Sequence, residues 1–257
     1  MNPERWQQIR KVFDAALEMD PDERRPRGAK SGGQALMQGG MAAGGRDDPS
    51  KNPTSAMPTT DDEIQEKYLE RAIRELNQLT HELQDCEDCP RGNLMPVLGS
   101  GHPQADVMLL KHAPSVAEIE EGVAFYGRAG TAVMKSLKRL GIDPLVVYGT
   151  LCVKCPLSDP ALASPNCIAR LVREVAIVEP RCIVVMGEPA LECLNDVQIP
   201  LAVPVEARPG QVQALTPTID VIFTPDIDAS LDAEGPKREF WRDFRSVGGW
   251  YEDLPPY

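Results

Sequence analysis

Four continuous apolar runs, separated by segments with helical spacing, constrain the fold of this 257-residue chain more than any other feature. The runs are "DVMLL" (106–110), "LVVYGTL" (145–151), "CIVVMG" (182–187) and "VIFT" (221–224). A strand that is apolar on both of its sides is buried on both faces, which is typical of parallel strands covered by helices. The sequence therefore predicts an α/β fold, a three-layer sandwich whose central, mostly parallel four-stranded sheet is flanked by helices.

The segments between these runs carry helix signals. Apolar side chains recur at helical spacing in residues 131–141 and 164–178. The second segment has a proline at its first helical position, where no hydrogen bond is lost. A longer helix is predicted before the first strand, from Thr60 up to Cys86. Ligands of parallel sheets bind beyond the carboxyl ends of the strands. The loop that follows the first strand, residues 111–130, is therefore where we expect a site.

The chain is predicted to have three parts. Residues 1–25 carry apolar side chains at helical spacing, which predicts a short N-terminal helix and a candidate surface for a protein partner. Residues 26–59 are rich in Gly, Ser, Pro and Met without periodicity, which predicts a disordered linker. Residues 60–257 are the predicted folded domain.

The net charge of −12 lies in this domain, because the first sixty residues are nearly balanced in charge. A strongly acidic domain argues against a general binder of polyanions. No apolar run approaches the roughly 20 residues that span a bilayer, and the N-terminus is polar rather than signal-like. We expect a cytoplasmic protein that is a monomer and does not insert into a membrane.

Seven cysteines without a secretory signal favour metal ligation or plain packing over disulfides. Cys86 and Cys89 form a C-x-x-C at the end of the first predicted helix. Cys155 follows the second predicted strand, and Cys167 lies early in the next helix. Two such pairs suit tetrahedral sulfur ligation, but their spacing leaves zinc and an iron–sulfur cluster equally open. The other cysteines are expected to pack as small hydrophobic side chains: Cys152, Cys182 and Cys193.

The segments "CEDCPRG", "GTLCVKC" and "CIVVMGEPALECL" resemble those of the family 4 uracil-DNA glycosylases, which carry a 4Fe-4S cluster. The family's first motif, G-E-A-P-G-x-x-E-D-x-x-G-x-P-F-V-G-x-A-G, aligns with residues 111–130 without a gap. The resemblance covers about residues 80–247 and implies a uracil-DNA glycosylase-like fold with DNA as a partner. It also implies a set of cluster ligands: Cys86, Cys89, Cys155 and Cys167.

The departures from the family's motifs fall on its polar groups. His112 stands where the family has the acidic residue that orients or activates water. Leu151 stands where the family has the asparagine that reads uracil, and Thr224 replaces the histidine that helps to stabilise the leaving base. Phe125 is retained, the residue on which a flipped base stacks. The resemblance implies a base pocket formed by a set of six residues: Ala113, Pro114, Phe125, Gly127, Leu151 and Thr224.

Two residues of the motif are candidates for catalysis. His112 suits an acid, base or nucleophile because imidazole titrates near neutral pH, although a simply solvated or hydrogen-bonded histidine has the same appearance in a sequence. Glu118 keeps an acidic position of the motif, and its alternative is a solvated helix face.

Two functions are consistent with these residues. The first is a DNA-repair glycosylase with altered base specificity and little ordinary uracil excision. The second is a catalytically inactive iron–sulfur binding or interaction module on the same fold.

Overall fold

A computed structural model of the protein describes residues 60–254. The predicted N-terminal helix (1–25) and linker (26–59) lie outside the described residues, and the predicted boundary at residue 60 remains a prediction. The chain divides into two units, residues 1–68 and 69–257. The described residues of the first unit are helical, and the second unit contains the sheet and the remaining helices.

The strands form a single sheet in the described part of the chain, with the bounds β1 Ser100–Gly101, β2 Val107–Lys111, β3 Val147–Leu151, β4 Cys182–Met186, β5 Val212–Ala214 and β6 Asp220–Thr224. The helices have the bounds α1 Thr60–Gln84, α2 Val116–Glu121, α3 Gly127–Arg139, α4 Pro165–Val178, α5 Glu188–Asp196, α6 Ile227–Ser230 and α7 Glu234–Glu252. Short 3-10 turns cover Pro144–Val146 and Pro160–Leu162.

The strand order in the sheet is β1-β3-β2-β4-β6-β5. The central strands β3, β2, β4 and β6 are parallel, and they are the four apolar runs of the sequence. The predicted α/β class is confirmed, but short antiparallel strands are added at both edges. These edge strands have two or three residues and no buried side chain, so they carry no apolar run that the sequence could reveal.

Both faces of the central sheet are covered by helices. Met108 and Leu110 of β2 belong to a core that includes side chains of α4 and α5. Val107 and Leu109 of the same strand belong to a second core, which includes side chains of α3 and α7. This burial on both faces is the reason why the central strands are apolar without alternation.

Candidate functional site

The carboxyl ends of the central strands place buried side chains in one row across the sheet. In the parallel register, Lys111 of β2 lies beside Leu151 of β3 and beside Met186 of β4, which in turn lies beside Thr224 of β6. Residues at equivalent register positions share one face of a sheet, and Met186 belongs to the core packed by α3 and α7. The row therefore lies on the face of the sheet that α3 covers. It contains two predicted pocket residues, Leu151 and Thr224, together with Lys111.

Phe125 packs against this end of the sheet from the loop that precedes α3. A Cβ atom on Gly149 would stand 2.6 Å from Phe125 Cδ2, and one on Gly130 would stand 1.6 Å from the Phe125 carbonyl oxygen. Both glycines thus allow an approach that any larger residue would prevent. Phe125 packs against the cluster of Val97, Ala124 and Leu151 and has a left-handed φ of 59°. This backbone conformation is rare for an aromatic residue and persists only where neighbouring contacts support it.

Glu118 supplies that support. Its Oε1 accepts a hydrogen bond from the Phe125 backbone N–H at 2.6 Å. Its Oε2 accepts from the Ser115 N–H at 2.8 Å, from the Ser115 hydroxyl at 2.9 Å and from Lys111 Nζ at 2.9 Å. The side chain is completely buried, so the interpretation of Glu118 as a solvated helix face is wrong. With both oxygens engaged, Glu118 fixes the shape of the loop rather than facing a substrate.

Lys111 is a buried charge that the sequence patterns did not single out. It is 1% exposed and forms ion pairs with Glu118 and with Asp228 of α6. Its Nζ also lies 5.5 Å from the centre of the Phe125 ring, within the range of a cation–π contact. Buried lysines are rare unless they are paired. A lysine at the end of an otherwise apolar strand was the signal that could have identified this centre.

His112, the next residue, is half-buried at the same edge. Burial lowers the pKa of its imidazole, whereas the nearby carboxylates of Glu192 and Asp226 act in the opposite direction. The lowered pKa favours a neutral imidazole near neutral pH, which suits a base or an acceptor better than a cation. The His112 carbonyl accepts a hydrogen bond from the Val153 N–H at 2.8 Å, which fixes the backbone between β2 and the loop after β3.

The remaining predicted pocket residues lie on the same loop or on the end of β6. Ala113 and Pro114 are half-buried between β2 and α2, and Gly127 begins α3 with a left-handed φ of 79°. Thr224 is completely buried. Its hydroxyl lies 3.2 Å from the Pro225 carbonyl, to which it donates. Thr224 is therefore already satisfied by the backbone and does not present the free donor that a histidine would offer.

A second centre is built from cysteines. The Sγ atoms of Cys89, Cys155 and Cys167 all lie within 4.8 Å of one another, and the three side chains are buried. Cys86 is half-buried just beyond the end of α1 and lies outside this group. Within residues 60–254, the structure thus brings together three of the four predicted ligands.

Hydrogen-bond donors surround these sulfur atoms. The Ser164 N–H donates to Cys89 Sγ at 3.3 Å. The pKa of Cys167 is lowered to about 5 by its hydrogen bond with Cys155 and, secondarily, by the backbone and charge of Lys154. Metals and iron–sulfur clusters bind thiolates, and hydrogen bonds to the sulfur tune them. The donor set fits a sulfur-bound metal or cluster.

Lys154 itself is buried beside this centre. Its Nζ forms an ion pair with Glu174 at 2.8 Å and donates to the Leu151 carbonyl at 2.7 Å. Glu174 also accepts from the hydroxyls of Thr150 at 2.8 Å and Tyr148 at 3.2 Å. The network ties the end of β3 to α4, so it connects the row at the sheet edge with the cysteine centre.

The three cysteines that were not predicted as ligands are buried, as expected for small core side chains: Cys152, Cys182 and Cys193. None of the helices in residues 60–254 combines the length and the hydropathy that a membrane span requires.

Comparison with known proteins identifies a family. The model of the uracil DNA glycosylase superfamily matches residues 98–245, which include the loop 111–130, Cys155 and Cys167.

Three relatives illustrate the similarity. A type-4 uracil-DNA glycosylase of Pyrobaculum aerophilum is 35% identical over 121 residues, which are 43% of this chain and 60% of that protein. A type-4 uracil-DNA glycosylase of Sulfurisphaera tokodaii is 32% identical over 124 residues, which are 44% of this chain and 54% of that protein. A type-4 uracil-DNA glycosylase of Archaeoglobus fulgidus is 25% identical over 187 residues, which are 68% of this chain and 93% of that protein. The match thus spans between half and two thirds of the first two relatives and most of the third.

Proposed function

The chain belongs to the uracil-DNA glycosylase superfamily, and from this premise we propose that it processes bases in DNA by hydrolysing an N-glycosidic bond, acting in the cytoplasm. The observation that carries the proposal is Phe125, held in a left-handed conformation by Glu118 at the carboxyl edge of the sheet. An aromatic ring fixed in this way suits the stacking of a planar base. Extruding the base from a duplex costs a few kcal/mol, and a preformed pocket offsets that cost.

The preferred base is proposed to differ from uracil. Leu151 is buried among Val97 and Ala124, and Thr224 donates to the backbone. Neither residue offers the amide or imidazole with which the family is expected to read and release uracil. A site without such hydrogen bonds discriminates weakly between bases. The polar contacts at this edge come instead from charged side chains.

We propose a 4Fe-4S cluster as the cofactor, with Cys86, Cys89, Cys155 and Cys167 as its ligands. The buried group of Cys89, Cys155 and Cys167, with its backbone donors, supports this assignment, and zinc is the alternative that the same sulfur atoms would accept. When bound, the cluster would supply covalent ties between the end of α1, the loop after β3 and the start of α4. The protein's own residues, not the cluster, are proposed to act on the base.

A second candidate function is an inactive iron–sulfur module that uses the fold for binding only. The observation that favours it is Lys111, whose buried ammonium stands over the Phe125 ring. A base that stacks on this ring must share the space around the ring with that ammonium group.

Release of bases under single-turnover conditions separates the two functions. The full chain would be incubated with duplexes that contain uracil, hypoxanthine or an oxidised base, with an undamaged duplex as the control. We expect release of at least one base other than uracil, and loss of that release in Phe125→Ala. If no base is released from any duplex while the protein is folded and holds its metal, glycosidic activity is refuted and the binding module is favoured.

A further inference from the structure

The acidic side chains at the carboxyl edge differ in their hydrogen-bond partners. Both oxygens of Glu118 accept hydrogen bonds inside the loop. Asp226 Oδ1 accepts from the Ala229 N–H and caps α6, and among the described residues the ion pairs of Lys111 go to Glu118 and Asp228, not to Asp226. Asp228 uses Oδ2 for its ion pair with Lys111, and Oδ1 makes no hydrogen bond within the part of the chain that the structure describes. The Asp228 side chain is 38% exposed, so this oxygen is accessible to water.

Lys111 fixes where this carboxylate stands. Its buried Nζ binds Glu118 and Asp228 and lies 5.5 Å from the centre of the Phe125 ring. The Lys111 ammonium group therefore lies between Asp228 and the Phe125 ring, the surface on which a base would stack. The carboxylates of Glu118 and Asp228 repel each other in a poorly solvated site, and the Lys111 ammonium that binds both offsets that repulsion.

We propose that Asp228 is the catalytic carboxylate of this pocket and that Lys111 is the residue that positions it. The inference rests on the proposed function, since it names the group that would activate water for glycosidic hydrolysis. It also explains how hydrolysis proceeds although the acidic position of the family's motif is occupied by His112. The carboxylate comes from α6 rather than from the loop after β2.

The reaction balances with water as the only co-reactant. The water oxygen forms a bond to the C1′ carbon of the sugar, and one water proton passes to Asp228 Oδ1. The bond between C1′ and the base nitrogen breaks, and its electron pair leaves with the base. The base takes up one proton from solvent, and Asp228 returns its proton to solvent. The negative charge of Asp228 also stabilises the positive charge that develops on the sugar.

The first test replaces the carboxylate by its isosteric amide. Asp228→Asn should lower the single-turnover rate constant by about 10²–10⁴-fold, the usual contribution of a general base, while the affinity for the same duplex is retained. Asp232→Asn is the matched control, because Asp232 is an exposed partner of Arg128 on the surface. It should leave the rate constant at the value of the unmodified chain.

The second test asks whether Lys111 acts through Asp228. Lys111→Met should lower the rate constant in the unmodified chain and have no further effect in Asp228→Asn, because coupled residues are not additive. A purely structural lysine would lower the rate constant in both backgrounds. Circular dichroism checks that each variant is folded, and the exposed Asp228→Asn change decides the matter if Lys111→Met does not fold.

The outcomes separate this inference from the proposed function. Base release by the unmodified chain that is lost in Asp228→Asn supports both. Equal release by the unmodified chain and Asp228→Asn overturns the role of Asp228 and leaves the glycosylase function standing. If the unmodified chain releases no base at all, both the function and this inference are overturned.

Discussion

At the scale of single residues, one buried carboxylate determines the shape of the pocket loop. Glu118 receives hydrogen bonds from the backbone of Ser115 and Phe125 and from the ammonium of Lys111. The Lys111 donor is buried, and the Ser115 and Phe125 donors are partly buried. The orientation of Phe125 consequently depends on a side chain whose two oxygens are both engaged inside the protein.

Removing this carboxylate should be costly. We expect Glu118→Ala to lower the free energy of unfolding by about 3–5 kcal/mol, because it leaves the buried ammonium of Lys111 with fewer partners and the loop donors with none. Urea denaturation measures the change. Glu120→Ala, an exposed position on the same helix, is the matched control and should change stability little. A loss as small as that of the control would mean that Glu118 is not needed for the loop.

His112 should make stability depend on pH in a defined direction. Its pKa in the folded protein is lowered from 6.5, with burial as the main cause. Below pH 6.5 the unfolded chain takes up a proton that the folded imidazole resists, so stability falls as the pH drops through the lowered pKa. Above pH 6.5 the group contributes no pH dependence.

The pH dependence of urea denaturation tests this expectation for His112. We expect His112→Gln to flatten part of the slope below pH 6.5. The pKa of His102 is lowered as well, so His102→Gln must be measured in parallel to separate the two contributions. A slope that is unchanged in His112→Gln would contradict the lowered pKa.

At the scale of elements, the pocket depends on close approach between β3 and the loop before α3. Gly149 lies directly under the Phe125 ring, and its missing side chain is what allows the contact. The glycine belongs to a buried strand, so neither flexibility nor a turn explains its presence.

A methyl group at this position should displace the ring. We expect Gly149→Ala to destabilise the protein by about 1–3 kcal/mol through overpacking and to weaken any base release that depends on Phe125. Gly249→Ala is the matched control, since a Cβ on this exposed helical glycine meets no atom within 4 Å. It should stabilise the protein by about 0.5–1 kcal/mol. Equal stability of both variants, measured by urea denaturation, would show that Phe125 does not pack on β3.

Strands and helices could be predicted from the sequence where their buried residues form a continuous or a periodic apolar pattern. The central strands are continuous apolar runs, and α4 has its proline at the first helical position, so both were predicted. The edge strands β1 and β5 have no buried side chains and left no signal. The pair of Lys111 and Asp228 joins residues that are 117 positions apart. Such a contact depends on strand order, which local patterns do not encode.

Two predicted element boundaries differ from those in the structure by a few residues. The helix predicted at residues 131–141 begins earlier, at Gly127, because the glycines of the motif are part of its first turn. The strand predicted from residue 145 begins at Val147, after a 3-10 turn whose Pro144 fixes the backbone. Both shifts occur where special backbone residues, rather than apolar spacing, decide the conformation.

At the scale of the whole molecule, the cysteine centre joins parts of the described chain that are distant in sequence. Cys89 follows α1, Cys155 follows β3 and Cys167 lies in the first turn of α4. The Lys154–Glu174 ion pair lies between this centre and the sheet edge. Loss of the proposed 4Fe-4S cluster should therefore lower stability as well as remove colour.

Replacing one ligand tests the cofactor. We expect Cys155→Ser to lose iron, sulfide and visible absorbance and to melt at a lower temperature. Cys182→Ala, a buried cysteine in a different core, is the control and should retain the iron. Iron and sulfide analysis of the unmodified protein decides between the two cofactors. One tightly bound zinc ion per chain, with no iron in protein purified without oxygen, would contradict the cluster.

We propose that this chain keeps the fold of its superfamily and an aromatic residue for stacking, whereas the polar groups that would select uracil have changed. The most direct measurement is uracil release by the full chain under single-turnover conditions, compared with His112→Glu and His112→Ala. Loss of one preorganised group typically costs about 10²–10³ in rate, so we expect release near background for the unmodified chain. We expect no recovery in His112→Glu, because Leu151 and Thr224 remain. Efficient uracil release by the unmodified chain, abolished in His112→Ala, would contradict this expectation and make His112 the catalytic group.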